Sequence, residues 1–200
     1  MEPLRQLSKV SFKDYLSWTD DERWEVIDGH PYRMSAPTTE HQILCTDLCV
    51  ILALHFKGKP CRVITSPLDV KLSDYDVVQP DLVVVCDRSQ ITKGHIEGPP
   101  TLAVEILSPS SVRHDKVRKA RLYAAAGVQE CWILQPYPAM VEVLSLDGPG
   151  FRLHDAYTDQ EVLKSSVFPE LEIDLSQLFP FQEVDEVREG IPTYRSAAAH

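Results

Sequence analysis

The sequence predicts an α/β domain, and three observations carry that expectation. Two apolar runs, residues 77–85 and 101–109, are so rich in Val, Ile and Leu that they read as strands buried on both faces. A third stretch, from Thr38 to Phe56, repeats Ile43, Leu44, Leu48, Ile51 and Leu52 at helical spacing. A length of 200 residues is enough for one sizeable core.

In chain order, Ser11 is placed to cap a short helix that starts at Phe12. The segment 24–34 alternates in character around Asp28-Gly29, which predicts a hairpin carrying Glu25 just before its turn. Thr38 caps the long helix, with His41 in the first turn, and Gly58-Lys59-Pro60 ends it. Residues 61–72 read as strand interrupted at Pro67. Residues 86–100 are polar and read as a loop, with a helical turn allowed.

After the second apolar run, Ser108-Pro109-Ser110-Ser111 offers the start of a helix running to Ala126, with Gly127 as its left-handed terminator. That helix carries Arg113, His114, Lys116, Arg118, Lys119 and Arg121 against the single acid Asp115, the densest positive charge in the chain. Residues 128–136 predict a buried strand, and 139–146 pairs with 150–157 as a hairpin. The domain is expected to span residues 1–180, with 181–200 as a flexible acidic tail.

The net charge of −10 argues against a broadly basic nucleic-acid surface but leaves room for a local basic groove. No apolar run is long enough to span a bilayer and the first residues form no signal peptide, so a cytoplasmic protein is expected. Five cysteines without a CxxC pair suit reduced core thiols.

Chemistry enters through acids in apolar places. Asp81 and Glu105 lie inside the two apolar runs, where an ionised carboxylate costs several kcal/mol unless a cation or donor compensates it. Two such acids on neighbouring strands suit a shared divalent metal, which takes hard oxygen ligands. Pro80 cannot donate to a strand ladder, so it marks a strand start or a bulge and aims Asp81.

The order Glu25, Gln79-Pro80-Asp81, Glu105-Ile106-Leu107-Ser108-Pro109-Ser110, Lys119 with Tyr123, Gly127-Val128 and Trp132 resembles the Uma-type restriction endonuclease family of the PD-(D/E)XK superfamily. The resemblance spans about residues 10–180. It implies a three-layer restriction-endonuclease-like α/β fold with a mixed central sheet, and metal-dependent hydrolysis of phosphodiesters, with DNA the expected substrate. It also implies catalytic roles for Glu25, Asp81, Glu105 and Lys119, and Mg²⁺ or Mn²⁺ held by Asp81, Glu105 and the Ile106 carbonyl. A Glu-x-Lys strand motif would set its lysine beside the metal, but Leu107 stands at that position. Lys119 is the expected replacement, on one helix face with Asp115 and Tyr123, and Lys116 is the runner-up. Lys119→Ala is expected to remove activity and leave folding nearly unchanged. A homodimer is expected, with strands around residues 141–144 as its interface. Two alternatives stand beside this reading: an inactive nuclease-fold module that binds or regulates, and a metal-dependent hydrolase of a small substrate.

Overall fold

Alternation along the two apolar runs builds the centre of the molecule. The structure is a computed structural model that describes residues 9–19, 22–108 and 114–179. Helix α1 (Phe12–Tyr15) starts at a full capping box, Ser11 with Asp14, and is followed by the hairpin β1 (Trp24–Ile27) and β2 (His30–Arg33). Asp28 and Gly29 turn that hairpin with φ of 51° and 73°, the positive angles that a two-residue turn of this kind requires. Helix α2 (Thr39–His55) has Thr38 as its N-cap, accepting from the His41 N–H.

Strands β3 (Arg62–Thr65), β4 (Asp69–Ser73), β5 (Asp76–Val78), β6 (Leu82–Val85), β7 (His95–Glu97) and β8 (Leu102–Ile106) follow. A π-helical segment (His114–Lys119) leads into α3 (Ala120–Ala126), which ends at Gly127 with φ of 95°. Strands β9 (Glu130–Gln135), β10 (Met140–Asp147), β11 (Gly150–Thr158), β12 (Val162–Lys164) and β13 (Glu172–Asp174) complete the described chain.

Six strands form the central sheet in the order β11-β10-β9-β8-β6-β3. β8 and β9 run parallel and their neighbours antiparallel. Parallel neighbours need a crossover, and the helical segment 114–126 lies in that connection. Alternate residues divide the sheet between two cores. Leu82, Val84, Leu102, Val104, Trp132 and Leu134 pack with α2 through Leu44, Leu48 and Leu52. Val83, Val85, Ala103, Leu107, Cys131 and Ile133 pack with Tyr123 of α3 and with Val70 and Val78 of a second sheet, ordered β2-β1-β5-β4-β7. The helix–sheet–second layer arrangement is the three-layer mixed α/β fold that the sequence predicts.

Several expectations change. The first apolar run is not one strand: β5 lies in the second sheet and β6 in the central sheet, and Gln79-Pro80-Asp81 carries the chain between them. Proline, with no N–H to give, fits a residue that belongs to neither ladder. The polar stretch 86–100 holds β7, which pairs in parallel with β4. It is short and half polar, so its pattern carries no strand signal. The expected helix start at 108–111 falls partly outside the described residues, and the expected tail at 181–200 wholly outside them.

The expected dimer strand is also corrected. β10 is paired on both edges, by β9 and β11, and Val141 and Val143 are fully buried in the core, so they present no surface. Cys61 and Cys86, expected as reduced core thiols, form a disulfide. They flank the β3/β6 ladder, and the Arg62–Val85 pairing sets them opposite each other across it.

Candidate active site

The sheet switch at Pro80 decides where the acids meet. β6 pairs β8 with Leu82 opposite Val104, so one further step along the antiparallel register sets Asp81 opposite Glu105. The Ile106 N–H donates to Asp81 Oδ2 at 2.7 Å, which fixes the carboxylate across the end of the two strands. On its other oxygen, Asp81 Oδ1 lies 3.2 Å from His41 Nε2. The N-cap at Thr38 starts α2 at the right place for His41, in its first turn, to reach that oxygen.

Glu105 sits in a fully buried strand and keeps 3% of its side chain exposed. Lys119 Nζ donates to Glu105 Oε1 at 2.9 Å and to Oε2 at 3.0 Å. The same ammonium lies 2.8 Å from Glu25 Oε1. Glu25 Oε1 also accepts the Gln79 N–H at 2.8 Å, so the residue two before Asp81 anchors the acid of the hairpin. The Tyr123 hydroxyl donates to Glu105 Oε1. Burial first, and the Glu105 charge second, push the Tyr123 hydroxyl well above the ordinary tyrosine range, so it stays a donor. Cys131 beneath it is held as a thiol for the same two reasons.

Glu25, Asp81, Glu105 and Lys119 therefore line one cleft, together with His41, Arg23, Arg33 and Tyr32. Glu25, although it comes from a short hairpin strand, keeps only 3% of its side chain exposed. Lys119 reaches the acids from the helix, and Leu107, the strand position two beyond Glu105, is packed in the core. Tyr123 shares the Lys119 face because both reach Glu105; the Asp115 and Lys116 side chains lie outside the described residues. The expectation that Lys119→Ala would leave folding unchanged is corrected. Lys119 is a buried countercharge to two buried carboxylates, and removing one partner of such a set is strongly destabilising.

Sequence reasoning missed the cleft's outer parts. Arg23 donates to Gln79 Oε1 at 3.0 Å, and Gln79 Nε2 donates to Asp69 Oδ1 at 2.9 Å. Arg118 Nη1 donates to the Tyr32 hydroxyl at 2.8 Å and its guanidinium lies 5.3 Å from the ring centroid. These residues come from four separate stretches and share no spacing that a sequence pattern could reveal.

The donors suit a hard divalent cation of the magnesium kind, which is typically held by one or two carboxylates and keeps several waters. Asp81 and Glu105 supply such a pair. Among the described residues, no group of three or more His, Cys, Asp or Glu side chains is arranged to hold a metal by itself, so water or phosphate oxygens would have to complete the shell. Among them, too, no helix is long and apolar enough to cross a membrane.

The chain is 30% identical over 125 residues to an uncharacterised protein of Synechocystis sp. (strain ATCC 27184 / PCC 6803 / Kazusa), covering 61% of this chain and 66% of that protein. Its fold is similar to the crystal structure of a protein from Anabaena variabilis ATCC 29413, titled a putative nuclease belonging to DUF820. That similarity has a TM-score of 0.72 at 18% identity and covers 86% of this chain and 98% of the other. At that identity the likeness concerns the fold. Residues 12–176, which hold every acid and base of the cleft, match one family throughout, and the chain belongs to it: the Uma2 family, described as "Putative restriction endonuclease".

Proposed function

We propose that the protein is a metal-dependent endonuclease that hydrolyses phosphodiester bonds, with DNA as substrate. The observation that carries this reading is Lys119: an ammonium drawn from a helix into a buried acid pair, in one cleft with a third acid, Asp81, just before β6. Phosphate hydrolysis profits from a fixed cation beside the developing charge, and nothing in the packing of an ordinary core calls for this cluster.

Asp81, Glu105 and the Ile106 carbonyl would hold Mg²⁺ or Mn²⁺. When bound, the ion would supply an activated water and neutralise charge on the scissile phosphate. Lys119 Nζ, held by Glu25, keeps a proton donor at the edge of Glu105 and faces the phosphate oxygens as charge builds on them. Tyr123 fixes the Glu105 carboxylate from below. Arg23 and Arg33 line the same cleft and hold flanking phosphates, a role that positions the strand without reading its sequence. In the reaction the water oxygen bonds to phosphorus, one ester P–O bond breaks, and the water's proton passes to the leaving oxygen.

We also propose a cytoplasmic location, where reduction would leave Cys61 and Cys86 as neighbouring thiols. Homodimerisation belongs to the same reading. Ile43, Val50 and Leu54 are exposed along one side of α2, and a second copy would cover them. A monomeric mass in light scattering would remove the dimer.

A second reading has its own support. Lys119 already satisfies both oxygens of Glu105, as a retired site that kept its fold to bind or regulate would do. Incubating supercoiled plasmid with the protein and Mg²⁺ or Mn²⁺, beside Asp81→Ala, separates the two. Nicked or linear product from the wild type, absent from the variant and abolished by chelator, supports the endonuclease. Unchanged plasmid with either metal supports the binding module.

A further inference from the structure

The cleft above Lys119 has room for one nucleotide. It is open to solvent on one side and offers about 410 Å³, near the low end of the roughly 300–1,000 Å³ range of small-molecule sites. At its floor, Glu105 and Lys119 keep 3% and 2% of their side chains exposed, and Asp81 keeps 15%. A phosphate must descend into the cleft to meet them. The walls are tied together as well: Arg118, beside Lys119, binds Tyr32 of β2 through both its N–H and its charge over the ring. A B-form duplex is much larger, its major groove alone being about 12 Å wide. At most a short stretch of one strand can enter the cleft.

The lining points the same way. A groove that follows nucleic-acid backbone is made mainly of positive charge. Here Arg23, Arg33 and Lys119, which suit phosphate, share the wall with Gln42, Ser66, Ser108, Met34 and Pro37. Side-chain amides and hydroxyls next to apolar surface suit the hydrogen-bonding edge and the face of a nucleobase.

Resting on the phosphodiesterase reading above, we propose that the substrate is a strand with an unpaired nucleotide, single-stranded or locally opened, whose base enters the cleft beside Tyr32. Fully paired duplex is then a poor substrate, because each turnover must first extrude a nucleotide.

The test uses one labelled oligonucleotide sequence in three forms: single strand, perfect duplex, and duplex with a short unpaired bulge. Single-turnover cleavage is measured with Mn²⁺, and binding is measured by fluorescence anisotropy without divalent metal. Unpairing costs a few kcal/mol, so the single strand and the bulge should be cut at least about tenfold faster than the perfect duplex, with cuts at the bulge. Anisotropy should give the same order of preference, and Tyr32→Ala should flatten it. Equal or faster cleavage of the perfect duplex, or equal binding of all three forms, overturns the proposal. If nothing is cut while the single strand is still bound more tightly, the endonuclease reading fails and the unpaired-strand preference stands. A single strand made of ribonucleotides, run as a fourth arm, tells whether the preference belongs to DNA or to either nucleic acid.

Discussion

Lys119 is the residue on which the site's stability and its chemistry both depend. Its ammonium offsets the burial of Glu25 and Glu105 at once. Lys119→Met keeps much of the side-chain volume yet leaves two buried carboxylates without their cation, a change that costs about 3–5 kcal/mol when one partner of a buried pair is removed. Urea denaturation near neutral pH should show that loss, and the double variant Glu105→Gln/Lys119→Met should recover part of it. A Lys119→Met midpoint equal to wild type would mean that the three groups do not depend on one another.

Tyr15 gives a second prediction, behind the cleft, where Asp69 meets Gln79. Its hydroxyl donates to Asp69 at 3.0 Å, and partial burial followed by the Asp69 charge raises its pKa well above 10.0. A raised pKa contributes stability that is complete below the unfolded value near 10 and is lost as pH rises from there through the folded value. Between pH 8 and pH 10.5 the wild type should lose more stability than Tyr15→Phe, as read from urea midpoints at the two pH values.

Residue by residue, the sequence reveals acids but not their surroundings. Glu105 and Glu130 are both carboxylates within apolar strands, and nothing in their neighbours tells them apart. Glu130 is fully buried and filled by donors from Trp132, Ser165, Ser166 and the Val167 N–H. It ties β9 to the chain after β12, whereas Glu105 opens to the cleft. The difference lies in which side of the strand end faces solvent, and only the assembled sheet decides that.

Among the elements, those with a strong local signal were legible. The Asp28-Gly29 hairpin, the Thr38 cap, the buried strands β6, β8 and β9 and the Gly127 terminator all follow from short stretches of sequence. β7 was not, because a three-residue strand takes its identity from β4 beside it. The split of the first apolar run was only half legible: Pro80 announces an interruption but not a change of sheet. Gly127 allows a clean measurement at this scale. An added Cβ would come no nearer than 4.0 Å to Pro99, so space is available, but φ of 95° disfavours any side chain. Gly127→Ala should therefore cost about 1 kcal/mol through the backbone alone. Thermal melting with little loss of stability would mean that the helix terminus relaxes to another conformation.

For the whole molecule, a strongly acidic chain surrounds a cleft whose charges nearly cancel. The chain carries −10 overall, while its cleft brings Arg23, Arg33, His41 and Lys119 around three acids. Binding should then be local, with few phosphate contacts. The two arginines that line the cleft, Arg23 and Arg33, predict a slope of log affinity against log salt of roughly −1.4 for a single strand, at about −0.7 per contact. A much steeper slope would place a large basic surface outside the described residues.

The central claim is that Asp81 and Glu105 hold a divalent ion, and Mn²⁺ binding tests it without asking for activity. Titrating the protein into Mn²⁺ and following the resonance of the free ion should show saturable uptake by the wild type. Asp81→Ala should weaken that uptake by about tenfold or more, the loss expected when a ligand or its support is removed. Equal uptake by wild type and variant, or none by the wild type at millimolar Mn²⁺, would contradict the account.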